Sequence, residues 1–296
     1  MFRPLMGTGR EADMGGIGKR PRLSLVIPAY NEAAVIAQAV SEAQTALREL
    51  VTEFEIVVVD DGSTDGTATV VEKLVPQVPQ TRLLRHNVNR GYGAALRSGF
   101  LASRYELVAF TDADCQFHLI ELGKLLVLAR QYPVVVGCRV DRKDRWQRRF
   151  LSWGYNQLVR FLLNTQIRDV DCALKVFHRE LLLEVLPESR GFFVNTEIIC
   201  RARRLGFPVA EVRVAHRPRA QGESKVSLWD VPRTIRTLLA FWFCEAIANR
   251  RQPPIRSGVF QTRVVVPEAS EPAAIPLPVS SRGLPIEPPA PRQEAA

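Results

Sequence analysis

The sequence lacks any run of the about 20 apolar residues that a membrane-spanning helix needs. Its longest nearly apolar stretch, Leu238 to Ala248, is short and is interrupted by Glu245. The first residues, MFRPLMGTGREADMGGIGKR, contain no apolar h-region, so a secretory leader is not expected. Cysteine is sparse as well. Cys115, Cys138, Cys172, Cys200 and Cys244 are widely spaced and odd in number, with no CxxC pair and no histidines at zinc spacing. That pattern excludes a disulfide framework and a structural zinc site, and it leads us to expect reduced thiols in a cytoplasmic chain. No internal repeat is present.

What is there is ordinary globular material: 296 residues, 46% hydrophobic and 24% charged. This is far from a disordered composition. The net charge of +9 is compatible with an anionic partner, whether nucleic acid, phosphate groups or an acidic membrane face, and a solvated face is the alternative reading of any one basic cluster. The excess sits in the central part of the chain. Residues 139–149 hold six basic side chains against two acidic, and residues 201–225 hold seven against two. Basic and aromatic residues do not fall on a recognised nucleic-acid-binding module, so nucleic acid is not expected as a partner.

The chain divides into four parts. Residues 1–21, glycine-rich and charged, read as a flexible leader; residues 22–226 form the folded domain. Residues 227–250 read as an amphipathic helix, and residues 251–296, with half of the 20 prolines, as a disordered proline-rich tail. Inside the domain, apolar β-branched runs alternate with helical patterns: LSLVIP then EAAVIAQAVSEAQTALREL, EIVVVD then a helix after Asp65, TRLLRH then GYGAALRSGFLAS, ELVAFTD then LIELGKLLVLARQY. Buried runs separated by helices predict an α/β fold: an open, mostly parallel sheet with helices on both faces, in a single domain. Ligands of such sheets lie beyond the carboxyl ends of the strands.

Three loops at that edge carry chemistry. The first is Pro28-Ala29-Tyr30-Asn31-Glu32. The second is Asp60-Asp61-Gly62-Ser63-Thr64-Asp65, where Asp65 reads as a helix cap and the adjacent carboxylates Asp60 and Asp61 suit a base or ribose hydroxyl. The third is Thr111-Asp112-Ala113-Asp114-Cys115-Gln116. Carboxylates two residues apart at a strand end can converge on one hard cation and leave positions for water and diphosphate. A turn with a single cap would also explain the pattern; its place at the same edge as Asp60 and Asp61 favours the nucleotide-sugar reading. Gly91-Tyr92-Gly93 suggests a dinucleotide fingerprint, but the third glycine position is Leu96. The two glycines are expected instead to let the backbone approach a nucleotide-sugar closely.

With VIPAYNE, VVVDDGSTDGT, NRGYGAALRSG, TDADCQ, GCRVDRKDR, DVDCALKVF and RAQGESKVS in this order, residues 22 to about 230 resemble a family 2 glycosyltransferase of the GT-A fold. More narrowly they are similar to dolichol- or polyprenol-phosphate mannosyltransferases. The resemblance implies a nucleoside pocket of Pro28, Tyr30, Glu32 and Asp61, and Mg²⁺ or Mn²⁺ held by Asp112, Asp114 and Gln116, with Ala113 between the carboxylates at the substrate. Arg139, Arg219 and Lys225 would face the phosphates, and Arg142, Arg148 and Ser152 the acceptor phosphate. Asp112, Asp114, Arg139 and Lys225 would carry catalysis. The donor favoured is GDP-mannose and the acceptor a polyprenyl phosphate, with a UDP-sugar or a glycan hydroxyl as alternatives. A hydroxyl acceptor would require a general base, for which Asp169 and Asp171 are candidates. The family's usual Gly-Phe-Lys reads Ala173-Leu174-Lys175 here. The helix near 227–250, with Trp229, Trp242 and Phe243 beside Arg233 and Arg236, is expected either to lie peripherally in a membrane interface or to pack on the core. An inactive scaffold of the same fold is disfavoured, because the metal ligands, Asp61 and Lys225 are all present.

Overall fold

The computed structural model describes residues 20–140, 146–163, 165, 167–218 and 230–249. Of the expected leader only residues 20 and 21 fall in this set, and the proline-rich tail lies outside it. The elements in order are β1 (Arg22–Ala29), α1 (Ile36–Leu50), β2 (Glu53–Asp60), α2 (Thr67–Leu74), β3 (Thr81–Arg85), α3 (Tyr92–Ala102) and β4 (Leu107–Phe110). A short 3₁₀ turn (Leu119–Glu121) and α4 (Leu122–Ala129) lead to β5 (Val134–Val140), α5 (Trp146–Leu163), β6 (Lys175–His178), α6 (Arg179–Glu184), α7 (Val194–Arg204), β7 (Val209–Ala215) and α8 (Asp230–Asn249).

The strands form one seven-stranded sheet in the order β3-β2-β1-β4-β6-β5-β7. Leu23 to Ala29 of β1 and Glu55 to Asp60 of β2 are buried without alternation, as expected where helices cover both faces. Helix α1 turns Ile36, Ala39, Val40, Ala43 and Leu47 inward at the three- and four-residue spacing of an amphipathic helix. It starts at Ile36, later than the pattern beginning at Glu32 suggests. Asn31 adopts a left-handed φ of 51°, and the Glu32 carbonyl accepts the amides of Val35 and Ile36 in a turn that precedes the helix.

Two features of the sheet position the site. The chain winds outward from β1 through β2 to β3, then returns to add β4 on the other side of β1. The reversal opens a crevice at the carboxyl ends of β1 and β4, between the loops following Ala29 and Phe110. The second feature is β6, which is antiparallel to both β4 and β5 and sets Lys175 beside Phe110 and Val136. Lys175 thereby arrives next to the strand end that leads into Asp112. Beneath it Phe100, Phe110 and Phe177 pack with ring centroids 5.8–6.3 Å apart, in tilted, edge and stacked arrangements, making a rigid floor.

Candidate active site

The first two loops are joined to each other before any ligand is considered. The Asn31 amide donates to Ser63 Oγ at 2.9 Å, and the Asn31 side-chain carbonyl accepts the Thr64 amide at 2.8 Å. The Glu32 amide donates to Thr67 Oγ1 and the Ala33 amide to Asp65 Oδ2, each at 2.9 Å. Asp65 also accepts the Thr67 amide at 3.0 Å, serving the start of α2 from just outside it, since Gly66 occupies the cap position itself. Burial raises the Asp65 pKa, but the Thr67 and Ala33 hydrogen bonds outweigh it and leave the group below its ordinary value. Pro28 is buried within β1, whereas Tyr30 stands at the rim, 37% exposed.

Asp61 ties the second loop to the segment between β3 and α3. Its carboxylate accepts the amides of Arg90 at 3.0 Å and Gly91 at 2.8 Å, and lies 2.6 Å from His86 Nδ1. Asp60 is fully buried; its Oδ1 accepts the Ser63 amide, and Arg85 stands 3.6 Å from its Oδ2. Gly91 and Gly93 allow a close approach within the protein itself. A Cβ on Gly93 would lie 2.0 Å from the Ser189 carbonyl oxygen, and one on Gly91 would lie 2.5 Å from that of Arg190. The Gly93 amide donates to the Arg190 carbonyl at 2.8 Å. The space beside these glycines is taken by the backbone of residues 189–190.

The residue between them turns toward the carboxylates. Tyr92 donates its hydroxyl to Asp112 Oδ1 at 2.8 Å. Asp114 is 6% exposed and accepts the Gln116 amide at 3.1 Å, Ala113 is buried between the two carboxylates, and Cys115 takes a left-handed φ of 56°. Burial first, and the neighbouring Asp114 charge second, push the Asp112 carboxyl up to about 6. Burial, with Asp112 beside it, likewise raises the Tyr92 phenol well above its usual value. Two carboxylates that repel each other in a partly dry turn are the donor set that suits a hard divalent cation. Among the described residues no cluster of three His, Cys, Asp or Glu could hold a metal, so such an ion would complete its shell with other oxygens.

The sequence matches the family model described as "Glycosyl transferase family 2" over residues 24–186. The chain belongs to glycosyltransferase family 2. It is 34% identical over 238 residues to "Glycosyltransferase AglD" of Haloferax volcanii, covering 77% of this chain and 37% of that protein. It is 33% identical over 210 residues to an undecaprenyl-phosphate 4-deoxy-4-formamido-L-arabinose transferase of Aeromonas hydrophila, covering 70% of this chain and 63% of the relative. The chain thus spans less than two thirds of either relative's length. A solved glucosyl-3-phosphoglycerate synthase of Mycobacterium tuberculosis, in complex with Mn²⁺, UDP and glucosyl-3-phosphoglycerate, superposes with a TM-score of 0.60 at 25% identity over 74% of this chain and 79% of that one. Mannosyl-3-phosphoglycerate synthase from Rubrobacter xylanophilus superposes with a TM-score of 0.62 at 20% identity, over 81% of this chain and 78% of that one, and shares the fold.

In this family 2 chain a second group of charges faces the carboxylates from β5 and β6. Arg139 forms a forked ion pair with Asp169, both contacts at 2.7 Å, and its amide donates to the same carboxylate at 3.2 Å. Burial lowers the Arg139 pKa, but the Asp169 hydrogen bonds and charge outweigh it and keep the guanidinium firmly charged. Glu211 of β7 accepts the amides of Arg168 and Asp169 at 2.9 and 3.1 Å, which fixes the segment carrying Asp169. Lys175 is buried and donates to Asn195 Oδ1 at 2.8 Å and to the Cys172 carbonyl. Burial pulls its pKa down to about 8, while Asp171 and Asp169 act in the opposite sense. Lys175 and Arg139 both act on Asp112, lowering its pKa, so the two groups form one electrostatic unit.

Ser152 lies in α5, half-buried, its carbonyl accepting from Asn156 at 2.8 Å. Arg148 belongs to the opening of α5 with its side chain outside the described residues, and Arg142, Arg219 and Lys225 lie outside them altogether. Gln116 donates through its side-chain amide to the Arg217 carbonyl at 3.4 Å. Tyr92, His86, Asn195, Glu211 and Arg217 were not singled out from the sequence. Only Tyr92 carried a signal there, inside the Gly-Tyr-Gly word, where the glycines drew the interpretation.

Proposed function

We propose that this chain is an inverting glycosyltransferase that moves a hexose from a nucleotide-sugar to a polyprenyl phosphate with Mg²⁺ or Mn²⁺. The observation that carries this is the Asp112–Asp114 pair at the β1/β4 crevice, where burial and mutual repulsion push Asp112 up to about 6. It is supported by relatives named for undecaprenyl phosphate and by a dolichyl-phosphate β-glucosyltransferase of Dictyostelium discoideum, 30% identical over 213 residues. The Mn²⁺ and UDP of the superposed synthase support the metal.

Asp112 and Asp114 would hold the cation, with Gln116 beside them. When bound, a divalent ion offsets the charge that develops on the departing diphosphate. The chain's own groups do the rest. Tyr92 orients the Asp112 carboxylate through its 2.8 Å hydrogen bond. Arg139, held by Asp169, contributes fixed positive charge near the diphosphate, and Arg219 and Lys225 add theirs. Pro28, Tyr30, Glu32 and Asp61 would border the nucleoside. Arg142, Arg148 and Ser152 would seat the acceptor phosphate, whose oxygen is anionic at neutral pH and attacks the anomeric carbon without a general base. Attack opposite the leaving diphosphate inverts that carbon. GDP-mannose is the favoured donor. UDP-glucose is the second reading, favoured by the glucosyltransferase relative and the UDP-bound neighbour.

Peripheral membrane contact belongs to the same reading. Leu238 of α8 is buried and Phe241 packs on Phe193 at 5.2 Å, yet Trp242 and Phe243 of α8 and Trp153 and Phe161 of α5 are exposed, Phe243 at 60% and Phe161 at 85%. No described helix is long and apolar enough to cross a membrane. Exposed aromatics on two helices suit the headgroup boundary where a lipid acceptor would be met. The test is a panel of GDP-mannose, UDP-glucose and UDP-N-acetylglucosamine with polyprenyl phosphate and Mn²⁺, read by the mass of the lipid product. A glycolipid formed only with metal supports the proposal; no product from any donor rejects it.

A further inference from the structure

We propose that Arg217 is a positioning residue for the metal-carrying turn, clamping the backbone at Cys115 and Gln116 to α1 through Glu42. This rests on the reading that Asp112 and Asp114 hold a divalent cation. Cys115 sits at a φ of 56°, a conformation that side chains other than glycine rarely keep without outside support. Arg217, just beyond the end of β7, supplies that support from several directions. Its guanidinium Nε donates to the Cys115 carbonyl, and a terminal nitrogen pairs with the Glu42 carboxylate. The other terminal nitrogen lies 3.4 Å from His118 Nδ1. Its main chain closes the remaining side, with the Arg217 amide donating to the Gln116 carbonyl at 2.9 Å and the Gln116 side chain donating to the Arg217 carbonyl at 3.4 Å.

The geometry asks for arginine in particular. One planar fork reaches a carbonyl, a carboxylate and an imidazole at once, whereas a lysine ammonium on a single point could serve only part of the set. Glu42 itself lines a small cavity together with Thr111, Asp112, Cys115 and Phe117, so the anchor shares that space with one of the two carboxylates. Arg217 also lies two residues before Arg219, at the root of the segment that carries Arg219 and Lys225.

The sign of the effect separates positioning from simple electrostatics. Removing a positive charge near a cation site should strengthen cation binding by Coulomb attraction alone. If Arg217 acts by holding the turn, its removal weakens binding instead. The full-length protein and its Arg217→Met, Arg217→Lys and Glu42→Gln variants are titrated with Mn²⁺ alone, and free Mn²⁺ is read by electron paramagnetic resonance. Circular dichroism and metal-free melting serve as checks on folding. Arg217→Met is expected to bind Mn²⁺ about tenfold more weakly, as for loss of an outer partner of a metal ligand, with Arg217→Lys between it and the parent. In the transfer assay the donor KM of Arg217→Met should rise more than kcat falls. A folded Arg217→Met that binds Mn²⁺ as tightly as the parent, or more tightly, overturns the proposal. Should that variant fail to fold, an unchanged Mn²⁺ affinity in Glu42→Gln overturns it equally, and a several-fold loss in Arg217→Lys, where the positive charge is kept and only the fork is lost, supports it. A parent protein that binds no Mn²⁺ at all removes the metal reading and this proposal with it; a parent that binds normally beside an unaffected Arg217→Met removes the proposal alone.

Discussion

The two sides of the crevice are built differently. On the β1–β3 side the polar groups hold one another through backbone amides: Asn31 with Ser63 and Thr64, Asp65 with Ala33 and Thr67, Asp61 with Arg90 and Gly91. On the β5–β7 side the central contact is a pair of opposite charges, Arg139 against Asp169, with buried Lys175 donating to Asn195 and Glu211 accepting the amides of Arg168 and Asp169. Amide-to-carboxylate bonds fix loop shape and leave little to rearrange. Ion pairs fix charge, and a buried pair becomes a liability when one member is removed. The first side is thus suited to a fixed nucleoside pocket, and the second to placing charge where a diphosphate and an acceptor phosphate would meet.

The strongest way to break this comparison is to remove the groups where the two sides meet. Asp114→Ala should reduce transfer by about 10³-fold or more, on the scale of losing a preorganised electrostatic contact, with unchanged circular dichroism. Full activity in that variant would remove the metal from the account. Next comes the β5 ion pair. Asp169→Ala leaves Arg139 without its charged partner and should cost about 3 kcal/mol of stability, measured by urea unfolding, because a buried charge is left uncompensated. The corresponding change on the first side, Asp61→Asn, keeps the shape but puts an NH₂ group against one of the amide donors that the carboxylate accepts, so a loss of about 1.5 kcal/mol, that of one unmet hydrogen bond, is expected. If the two losses are equal, the contrast between the sides is not real.

How much of this could be seen in the sequence follows from the same contrast. The parallel strands and the loops after Ala29, Asp60 and Phe110 were legible, because continuous β-branched burial and strand-end carboxylates are local patterns. Strand β6 was not, since four residues wedged antiparallel between β4 and β5 have no period of their own. The protein partner of Gly91 and Gly93 was not legible. A glycine announces close approach, but the partner here, the carbonyls of Ser189 and Arg190, lies about a hundred residues along the chain. Lys175 was visible only as the remnant of a motif; that it is buried beside Asn195 depends on tertiary pairing. His86 and Glu211 were silent for the same reason, being single residues whose partners are distant backbone amides or carboxylates.

Gly93 sharpens the comparison from the side of packing. Its α3 start is pressed onto the 189–190 backbone, so Gly93→Ala forces a methyl to within 2.0 Å of a carbonyl oxygen that cannot rotate away. The expected loss is about 1–3 kcal/mol. Because Tyr92 would shift with it, the donor KM should rise as well. A destabilised variant with an unchanged KM would show that Tyr92 and Asp112 are positioned independently of this contact.

The smallest expected effect lies in the pH dependence of metal stabilisation. Asp112 is raised from 3.8 to about 6, so between these values the metal-free folded protein binds more protons than the unfolded chain. Its contribution to stability therefore falls as pH rises from about 4 to 6 and is flat above that. A divalent cation needs the ionised carboxylate, and its binding competes with the proton. The melting-temperature increase given by saturating Mn²⁺ should accordingly be small at pH 5 and grow to its full value above about pH 6.5, a difference of about 2–4 °C by differential scanning fluorimetry. Tyr92→Phe removes the hydroxyl that donates to Asp112 and favours its ionised form, so the onset should move to higher pH. An increment independent of pH would mean that the cation is bound by groups other than Asp112, and an onset unmoved in Tyr92→Phe would mean that the tyrosine orients the carboxylate without tuning it.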